Sequence, residues 1–350
     1  MIGRRKPPSE EGKLAASTKD IAEKAGVSVA TVSHVLNGTR GTRPHTRQKV
    51  LAAAADLGYA PNQAARNPVL GRSTLLGLVI SDIRNPFFSE VSAAFQDQAV
   101  LHDRDAIVVN TNYDAYRTLN SVRRLIDLQV PAVAVLTSQV DAGVMDILAE
   151  RGIAAVYLDL GRVDRLVSTI LVDYEHGISE ALEHLRALGH ERIAYIGGPG
   201  HLHSAQRRKR GFIASAARFG VDPSHTVDAD FTVKGGYFAC SKLLNGYHPT
   251  AIVAANDLTA IGVLHRAYDG GIRVPGELSV VGFDDIQIAE YSQPALTTVA
   301  VPSTEIGKMA FQALWTMLRA PGTAGTEVRV PTQLVTRQST IAPAACAATQ

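Results

Sequence analysis

The sequence is poor in cysteine and contains no long apolar run. Its two cysteines, Cys240 and Cys346, have no metal-ligand spacing, and such sparse use favours a reducing compartment over a disulfide. No stretch reaches the roughly 18 consecutive apolar residues that a membrane span requires. Residues 1–13 carry charges and prolines instead of the apolar segment of a secretory signal. We therefore expect a cytoplasmic protein.

Motifs that carry catalytic chemistry are also missing from the sequence. It contains no P-loop, no nucleophile elbow and no histidine-rich metal cluster, and its eleven histidines are scattered singly. Gly197-Gly198-Pro199-Gly200 follows an apolar run but lacks the G-x-G-x-x-G spacing of a dinucleotide loop. We expect no enzymatic activity, no cofactor and no metal, and a nucleotide-dependent enzyme is the less favoured alternative.

Charge is distributed unevenly along the chain. Residues 1–72 hold twelve Lys and Arg against five Asp and Glu, whereas the remainder holds 23 against 28. A basic head on an acidic body indicates that the head meets a polyanion, although a basic solvated surface would give the same balance. The length of 350 residues and the hydrophobic fraction of 46% predict two or three globular domains.

The residue pattern changes along the chain. Residues 1–16 form a polar, proline-broken basic tail, residues 17–60 are helical, and residues 61–74 resemble a linker. Apolar strand-like runs then alternate with helical stretches, and they occupy residues 75–81, 106–111, 132–138, 154–159, 168–173, 192–197, 251–256 and 279–284. This alternation predicts an α/β region with two doubly wound parallel sheets, up to residue 341, before a tail of small and polar residues at 342–350.

Residues 17–37 have the pattern of two short helices joined by a tight turn. Ser17 and Asp20 form the start of a capping box, and Gly26 provides the positive φ that a sharp turn often needs. Ser28 can cap the second helix. This arrangement is a helix-turn-helix unit, whose second helix fits the major groove of DNA.

The second helix has an apolar side and a side of small and polar residues. Val32 and Val35 face inward. The residues that point outward are Val29, Ala30, Ser33 and His34. Such side chains can hydrogen-bond bases or phosphates, or touch thymine methyl groups. An ordinary helical hairpin is the alternative, but the basic residues that follow favour phosphate contact, and they are Arg40, Arg43, Arg47 and Lys49.

The run KDIAEKAGVSVATVSHVLNGTRGTRPHTRQKVLAAAADLGYAPNQAAR resembles the head of the lactose-repressor (LacI/GalR) family of transcription regulators. Its signature A-x3-G-V-S-x2-T-V-S-x-V-L-N is highly specific. The resemblance implies a third helix from about Pro44 to Leu57, a hinge after Pro61, and a homodimer on pseudo-palindromic operator DNA. The DNA-contacting residues it implies are Thr18, Ser28, Val29, Ala30, Thr31, Ser33, His34, Asn37, Arg40, Arg66 and Pro68.

The hinge departs from the family pattern. Relatives usually carry Ala-Arg-Ser-Leu where this chain has Ala65-Arg66-Asn67-Pro68. Proline can wedge between base steps, but it removes a helical hydrogen bond unless it lies in the first turn. A shortened hinge helix, or wedging by one of the next two residues, is the alternative. Arg43 also replaces the usual serine cap ahead of Pro44.

The strand and helix alternation from residue 75 to 341 is similar to the two-lobed periplasmic sugar-binding fold that this family carries as its effector domain. We expect a first lobe of about 75–173 and 299–328, and a second of about 174–298 and 329–341. Ligands of such folds bind between the lobes, at the carboxyl ends of the strands.

Several residues near strand ends suit a ligand with an apolar face and hydroxyl edges. Asn85 precedes an aromatic pair, Phe87 and Phe88, of which we expect one ring to be exposed to the ligand and the other to belong to the core. Arg208 lies in a run of four basic residues, of which we expect the other three to be solvated. It matches the ligand-binding arginine of the family's S-A-x-x-R-x-x-G-F pattern, which begins here at Ser204.

Polar residues at other strand ends complete the expected ligand site. The residues themselves suggest Asn256, Asp257, Asp284 and Asp173, and the resemblance adds Phe231, Thr137 and Asp159. Helix capping is the alternative role for carboxylates at strand ends, and it is equally expected for Asp159 and Asp285.

Two departures from relatives bear on the ligand. Leu160 stands where some pentose-binding relatives have arginine, and Val301 where many have glutamine. Both changes remove polar partners, which suggests a ligand less hydroxylated than a simple pentose. The predicted function is a homodimeric repressor controlled by a carbohydrate-like effector. A transport-type binding protein is the alternative, and the appended head argues against it.

Overall fold

The computed structural model describes residues 16–37, 41–59, 73–138, 140–320 and 322–343. The chain divides between Ser73 and Thr74 into two compact units, here called the head and the body. Residues 1–15 of the predicted tail, most of the hinge, and the predicted DNA-contacting residues Arg40, Arg66 and Pro68 lie outside the described residues.

The head contains three helices, α1 (Thr18–Ala25), α2 (Val29–Asn37) and α3 (Pro44–Asp56). The predicted capping box is confirmed: Ser17 Oγ accepts from the Asp20 amide, and the Asp20 carboxylate accepts from the Ser17 amide at 2.7 Å. Gly26 ends α1 with φ +67°, a backbone conformation that glycine adopts without a steric penalty.

Side chains from all three helices form the core of the head. The buried members are Ile21, Ala22, Val32, Val35, Val50, Ala53 and Ala54. The inward orientation predicted for Val32 and Val35 is therefore confirmed. Arg43 precedes α3, and its side chain makes no capping hydrogen bond. Pro44 occupies the first helical position, and its nitrogen needs no acceptor because it carries no hydrogen.

The first sheet of the body has six parallel strands. They are β1 (Leu75–Ile80), β2 (Asp105–Asn110), β3 (Ala132–Leu136), β4 (Ala154–Leu158), β5 (Val167–Val172) and β11 (Glu327–Val330), in the order β11-β5-β4-β3-β1-β2. The helices packed with it are α4 (Pro86–Leu101), α5 (Ala115–Asp127), α6 (Ala142–Glu150) and α12 (Ser303–Arg319). The apolar residues of α4 and α12 belong to one core cluster and those of α5 and α6 to another. Helices therefore cover both faces of this sheet, and together they form the first lobe.

The second sheet also has six strands. They are β6 (Ile193–Gly197), β7 (Thr226–Asp228), β8 (Ala251–Ala254), β9 (Ser279–Asp284), β10 (Thr297–Ala300) and β12 (Gln333–Val335), in the order β12-β10-β9-β8-β6-β7. Only β12 runs antiparallel to its neighbour among the strands described. The second lobe adds α7 (Tyr174–Ala187), α8 (His203–Phe219), α9 (Val233–Gly246), α10 (Asp257–Asp269) and α11 (Gln287–Tyr291). The predicted fold class, a helix-turn-helix head with a two-lobed α/β domain, is confirmed.

The chain passes between the lobes at three places. These are Asp173, the segment 301–302, and the segment 331–332. All of β10 lies in the second sheet and all of β11 in the first. The lobe boundaries expected after residues 298 and 328 therefore lie a few residues later, at the second and third of these crossings. Because parallel strands end at a common edge, the loops after the strands of both sheets border one cleft. No helix among the described residues is long and apolar enough to cross a membrane.

Candidate functional site

The head presents one side of α2 to solvent. Ser28 caps this helix as predicted: its hydroxyl accepts from the Thr31 amide at 3.1 Å. Val29, Ala30 and Ser33 are exposed. The other predicted DNA-contacting residues in this region are Thr18, Thr31 and His34, which are half-buried, and Asn37, which ends the helix.

Basic side chains surround the start of α3. Arg43, Arg47 and Lys49 are exposed, whereas Lys24 on α1 pairs with Asp56 at 3.1 Å. An exposed pair of this kind contributes little to stability. A helix with small exposed residues on a basic unit can approach base edges while neighbouring cations neutralise phosphates.

The body contains a narrow pocket between its lobes, where about 350 Å³ of space, part of it open to solvent, is not filled by protein atoms. Each lobe contributes half of its lining. The first lobe supplies Asn85, Phe87, Phe88, Tyr113, Ser138 and Leu158, and the second supplies Tyr174, Ser204, Arg208, Phe231, Asn256 and Asp284. Eight of the twelve residues predicted for the ligand site line this pocket.

A buried ion pair lies in the wall of the pocket. Arg208 on α8 donates from Nη2 to Asp284 Oδ1 at 3.0 Å and from Nη1 to the Ala255 carbonyl at 2.6 Å. Its Nε is buried and has no hydrogen-bond partner among the described residues. Arg208 is 7% exposed and Asp284 4%, so this pair is almost fully removed from bulk solvent.

Burial governs the ionisation of the pair. Burial raises the pKa of Asp284 to about 6, although the Arg208 guanidinium acts to lower it. Burial is the largest single influence on Arg208 and acts to lower its pKa, but Asp284 and the neighbouring tyrosines together outweigh burial and raise that pKa. The arginine therefore stays charged, and at neutral pH its charge is balanced by the carboxylate.

Aromatic rings surround the guanidinium group. The Arg208 Cζ atom lies 4.3 Å from the ring centroid of Phe283, 4.8 Å from Tyr174 and 5.8 Å from Phe231. The electron-rich faces of such rings attract a cation, most strongly where water is excluded. These rings hold Arg208 in position and give the second-lobe wall an apolar surface.

Both rings of the aromatic pair after the first strand are buried, so the expectation that one of them is exposed is wrong. Asn85 caps α4 by accepting from the Phe87 amide at 3.1 Å. The cap places Phe87 and Phe88 in the first helical turn, where both join the core and their ring centroids lie 5.2 Å apart. Both rings nevertheless line the pocket.

The basic run on α8 is less solvated than predicted. Arg207 pairs with Asp159 at 3.0 Å, and Lys209 pairs with Asp228 at the same distance. Of the three residues expected to be solvated, Arg210 alone is exposed, and Arg207 and Lys209 are half-buried. Both basic side chains pair with carboxylates from distant segments of the chain. The charge pattern within the run did not indicate these partners.

Two of the predicted carboxylates serve the fold outside the pocket lining. Asp257 is completely buried and accepts from the Thr298 hydroxyl at 2.5 Å and the Ile286 amide at 2.8 Å. Burial, followed by the charge of Asp284, raises its pKa well above the usual value. Asp173 is exposed and caps α7. Neither residue lines the pocket.

Asp159 and Thr137 lie close to the cleft but also outside the lining. Asp159 accepts from the Tyr174 hydroxyl at 2.6 Å and the Val172 amide at 3.0 Å, in addition to Arg207. Capping, the alternative considered for Asp159, is not its role. Burial raises the pKa of Asp159, although its hydrogen bonds and the charge of Arg207 act to lower it. Thr137 is buried and accepts from the Ser81 hydroxyl at 3.1 Å.

Asn256 and Ser204 line the pocket while already holding the fold together. Asn256 caps α10 by accepting from the Thr259 amide at 2.9 Å, and it donates to the Phe231 carbonyl at 3.2 Å. The Ser204 hydroxyl lies 2.8 Å from that of Ser138. These bonds fix the polar groups before any ligand arrives.

Four lining residues were missed from the sequence. They are Tyr113, Ser138, Leu158 and Tyr174. Each follows or ends a strand of the first sheet, so position after a strand was the available signal. Leu160 and Val301, from which a less hydroxylated ligand was inferred, do not line this pocket, and that inference loses its basis.

Similarities to known proteins cover both units. Residues 17–62 match the family of bacterial regulatory proteins called the lacI family, and residues 182–340 match the periplasmic binding protein-like domain. Catabolite control protein A of Priestia megaterium is 31% identical over 92% of this chain and 98% of its own length. The chain belongs to the lacI family. It is a DNA-binding transcription regulator, as its sequence predicted.

Solved structures of transcription regulators have the same fold. The Lac repressor dimer bound to operator and the anti-inducer ONPF matches with a TM-score of 0.82 and 28% identity, over 94% of this chain and 100% of that one. The complex of the regulator CelR with cellobiose matches with a TM-score of 0.70 and 27% identity, over 93% and 99%.

Proposed function

We propose that this lacI-family protein is a cytoplasmic homodimeric repressor whose affinity for operator DNA is controlled by a neutral, carbohydrate-like molecule in the cleft of the body. The observation that carries the effector part is the buried Arg208–Asp284 pair in an aromatic-lined pocket between two lobes. The named relatives are regulators and repressors, which supports action through binding and not through catalysis.

The DNA-reading surface is the exposed side of α2. Val29, Ala30 and Ser33 contact base edges, and the cations around α3 contact phosphates. Because each chain supplies one reading helix, two chains are needed for the two half-sites of a pseudo-palindrome. The dimeric Lac repressor on its operator supports this arrangement. The proposed hinge at residues 61–74, with Arg66 and Pro68, connects the reading surface to the body.

The pocket favours a neutral ligand. Asp284 balances the charge of Arg208, so an anion would meet no net positive charge there. Aromatic rings suit an apolar face, while Asn85, Ser138 and the unpaired Nε of Arg208 suit hydroxyl edges. Sugars combine these features, and CelR is solved with cellobiose. Thr137, Asp159, Asp173 and Asp257 support the site indirectly.

Ligand binding is coupled to DNA binding by the relative position of the lobes. A ligand that contacts both lobes stabilises one cleft geometry over another, and it shifts operator affinity only by its differential affinity for those geometries. The three crossings between the lobes allow such a change.

A thermal-shift screen of the full chain against neutral monosaccharides, disaccharides and sugar acids tests the ligand proposal. A ligand raises the melting temperature by mass action. We expect a neutral sugar to do so, with loss of the shift in Arg208→Ala and its retention in Arg210→Ala. Stabilisation by anions alone would contradict the proposed ligand class.

The same ligand tests the coupling. Titration of a labelled operator duplex with and without saturating ligand should give different dissociation constants. Equal constants would contradict ligand control of operator binding.

A further inference from the structure

Several side-chain contacts join the lobes beside the pocket, and two of them reach α8. Asp159 follows β4 of the first sheet, and its carboxylate lies 3.0 Å from Nη1 of Arg207 on α8 of the second lobe. Ser138, which follows β3, meets Ser204 at the start of the same helix. Both contacts therefore connect the carboxyl edge of the first sheet to α8.

The ion pair between the lobes is well enclosed. The side chain of Asp159 is 5% exposed and that of Arg207 26%. Asp159 also accepts from Val172 and from the Tyr174 hydroxyl, so its oxygens have partners on several segments. Opening the cleft would separate this buried carboxylate from its cation, a separation that low dielectric makes unfavourable.

A second ion pair on the same helix provides a direct contrast. Lys209 lies 3.0 Å from Asp228, the same distance as in the first pair, but Asp228 ends β7 of the second lobe. The side chains are 37% and 44% exposed, and such pairs are weak. Of these two ion pairs on α8, the Arg207 pair alone crosses the cleft.

The interlobe pair also reaches the pocket wall. Tyr174 lines the pocket and donates to Asp159. Its ring lies 5.1 Å from the guanidinium carbon of Arg207 and 4.8 Å from that of Arg208. Asp159 and Arg207 therefore hold a ring that packs against the pocket's central cation.

We propose that Asp159 and Arg207 form an interlobe latch that holds the cleft closed before any ligand binds and positions Tyr174 in the pocket wall. The latch goes beyond the proposed function because it acts without a ligand and without DNA. Its loss shifts the population of the body toward an open cleft, in proportion to the free energy that the pair contributes to the closed form.

Distances between spin labels on the two lobes test the latch. Labels are attached in the full chain at Ala142→Cys on α6 and His201→Cys before α8, both exposed positions. Cys240→Ser and Cys346→Ser remove the native thiols. Pulsed electron paramagnetic resonance then reports the distance distribution without ligand.

We expect Arg207→Ala and Asp159→Asn to lengthen and broaden the distribution. Lys209→Ala should match the parent, and Arg207→Lys should stay closer to it than Arg207→Ala. The double variant Arg207→Ala with Asp159→Asn should add little to either single change, because both remove the same interaction.

A parent-like distribution in folded Arg207→Ala or in folded Asp159→Asn would overturn the latch. Asp159→Asn keeps the size of the side chain and a hydrogen-bonding oxygen, so it tests the charge pair even if Arg207→Ala does not fold. Because no ligand is present, a failed ligand screen would leave this result unaffected, and an absent latch would leave the ligand proposal intact.

Discussion

The head and the body present their functional residues in opposite ways. On α2, small side chains are exposed along a nine-residue helix whose cap and core are local. In the body, Arg208 and Asp284 lie 76 residues apart in the chain and are buried together. A surface that binds DNA must leave its contacting side chains accessible. A small-molecule pocket, by contrast, makes stronger electrostatic interactions with its ligand when water is excluded. The same chain therefore builds one site from sequence neighbours and the other from distant segments.

The largest effect is expected from Arg208→Ala. The change leaves Asp284 buried without its cation, and breaking such a pair costs on the order of 3–5 kcal/mol. Urea unfolding of the full chain at neutral pH should show this loss in the transition of the body. Arg210→Ala, at an exposed position of the same helix, should stay within about 0.5 kcal/mol of the parent. Similar losses in both variants would refute the distinction between the buried and exposed cations.

A change on the head should affect DNA binding without affecting stability. Ala30→Glu places a negative charge near the N-terminus of α2, where the helix dipole tolerates it. The same charge would repel phosphates and block the exposed surface. We expect about a 100-fold loss of affinity, near 2.7 kcal/mol. Fluorescence anisotropy on a duplex selected with the parent protein measures it.

Ala55→Glu is the matched control for that experiment, because Ala55 is exposed near the end of α3. Its affinity should stay much closer to that of the parent. Equal losses would show that general charge, and not the α2 surface, determines binding.

The buried carboxylate also predicts a pH dependence. The pKa of Asp284 is about 6 in the folded protein, against an ordinary value of 3.8, so the folded state binds this proton more tightly than the unfolded state. Its contribution to the free energy of unfolding should decrease as pH rises from about 4 to about 6, by on the order of 2 kcal/mol. Urea unfolding between pH 4 and 7.5 measures it.

Asp284→Asn removes that contribution. Burial keeps the pKa of Asp159 raised in both proteins, whereas Asp257 loses in the variant the part of its raised pKa that comes from the charge of Asp284. The difference between the two pH curves therefore reports Asp284 together with its effect on Asp257. We expect a flatter curve for the variant. Parallel curves would show that burial does not hold the proton on Asp284.

The smallest effect is expected at the start of the head. Ser17→Ala removes the capping box and should destabilise α1 by about 1 kcal/mol. Hydrogen exchange of the α1 amides in the full chain should accelerate, while exchange in the body stays unchanged. Ser17→Asn retains a capping oxygen and should preserve most of the protection. Faster exchange throughout the body would contradict the local character of the head.

The head was predictable because its signals are close together in the chain. Ser17, Gly26 and Ser28 act through hydrogen bonds or backbone angles within a few residues, and each does what the pattern predicted. The strands of the body were also predicted closely, since a buried parallel strand is recognisable as a short apolar run. The short strands β7, β11 and β12, with their partly exposed residues, lacked that signal and were missed.

The errors at the cleft have a common physical cause. Phe87 and Phe88 follow a strand in sequence, but the cap formed by Asn85 and the packing of α4 determine that both are buried. In the sequence Arg207 has the pattern of a solvated residue, but in the structure it pairs with Asp159 of the other lobe. A carboxylate at a strand end can cap a helix, meet a cation or join a hydrogen-bond network, and only its neighbours in space determine which.

The sequence by itself therefore determined the helix-turn-helix head, the order of strands and helices, and most of the residues around the cleft. These features depend on periodicity, capping and turn chemistry, which act over a few residues. The tertiary structure decided which charges are buried and paired. It placed Arg208 against Asp284, and Arg207 across the lobes against Asp159. Electrostatic energy depends on distance and on exclusion from water, and both follow from long-range packing of the chain.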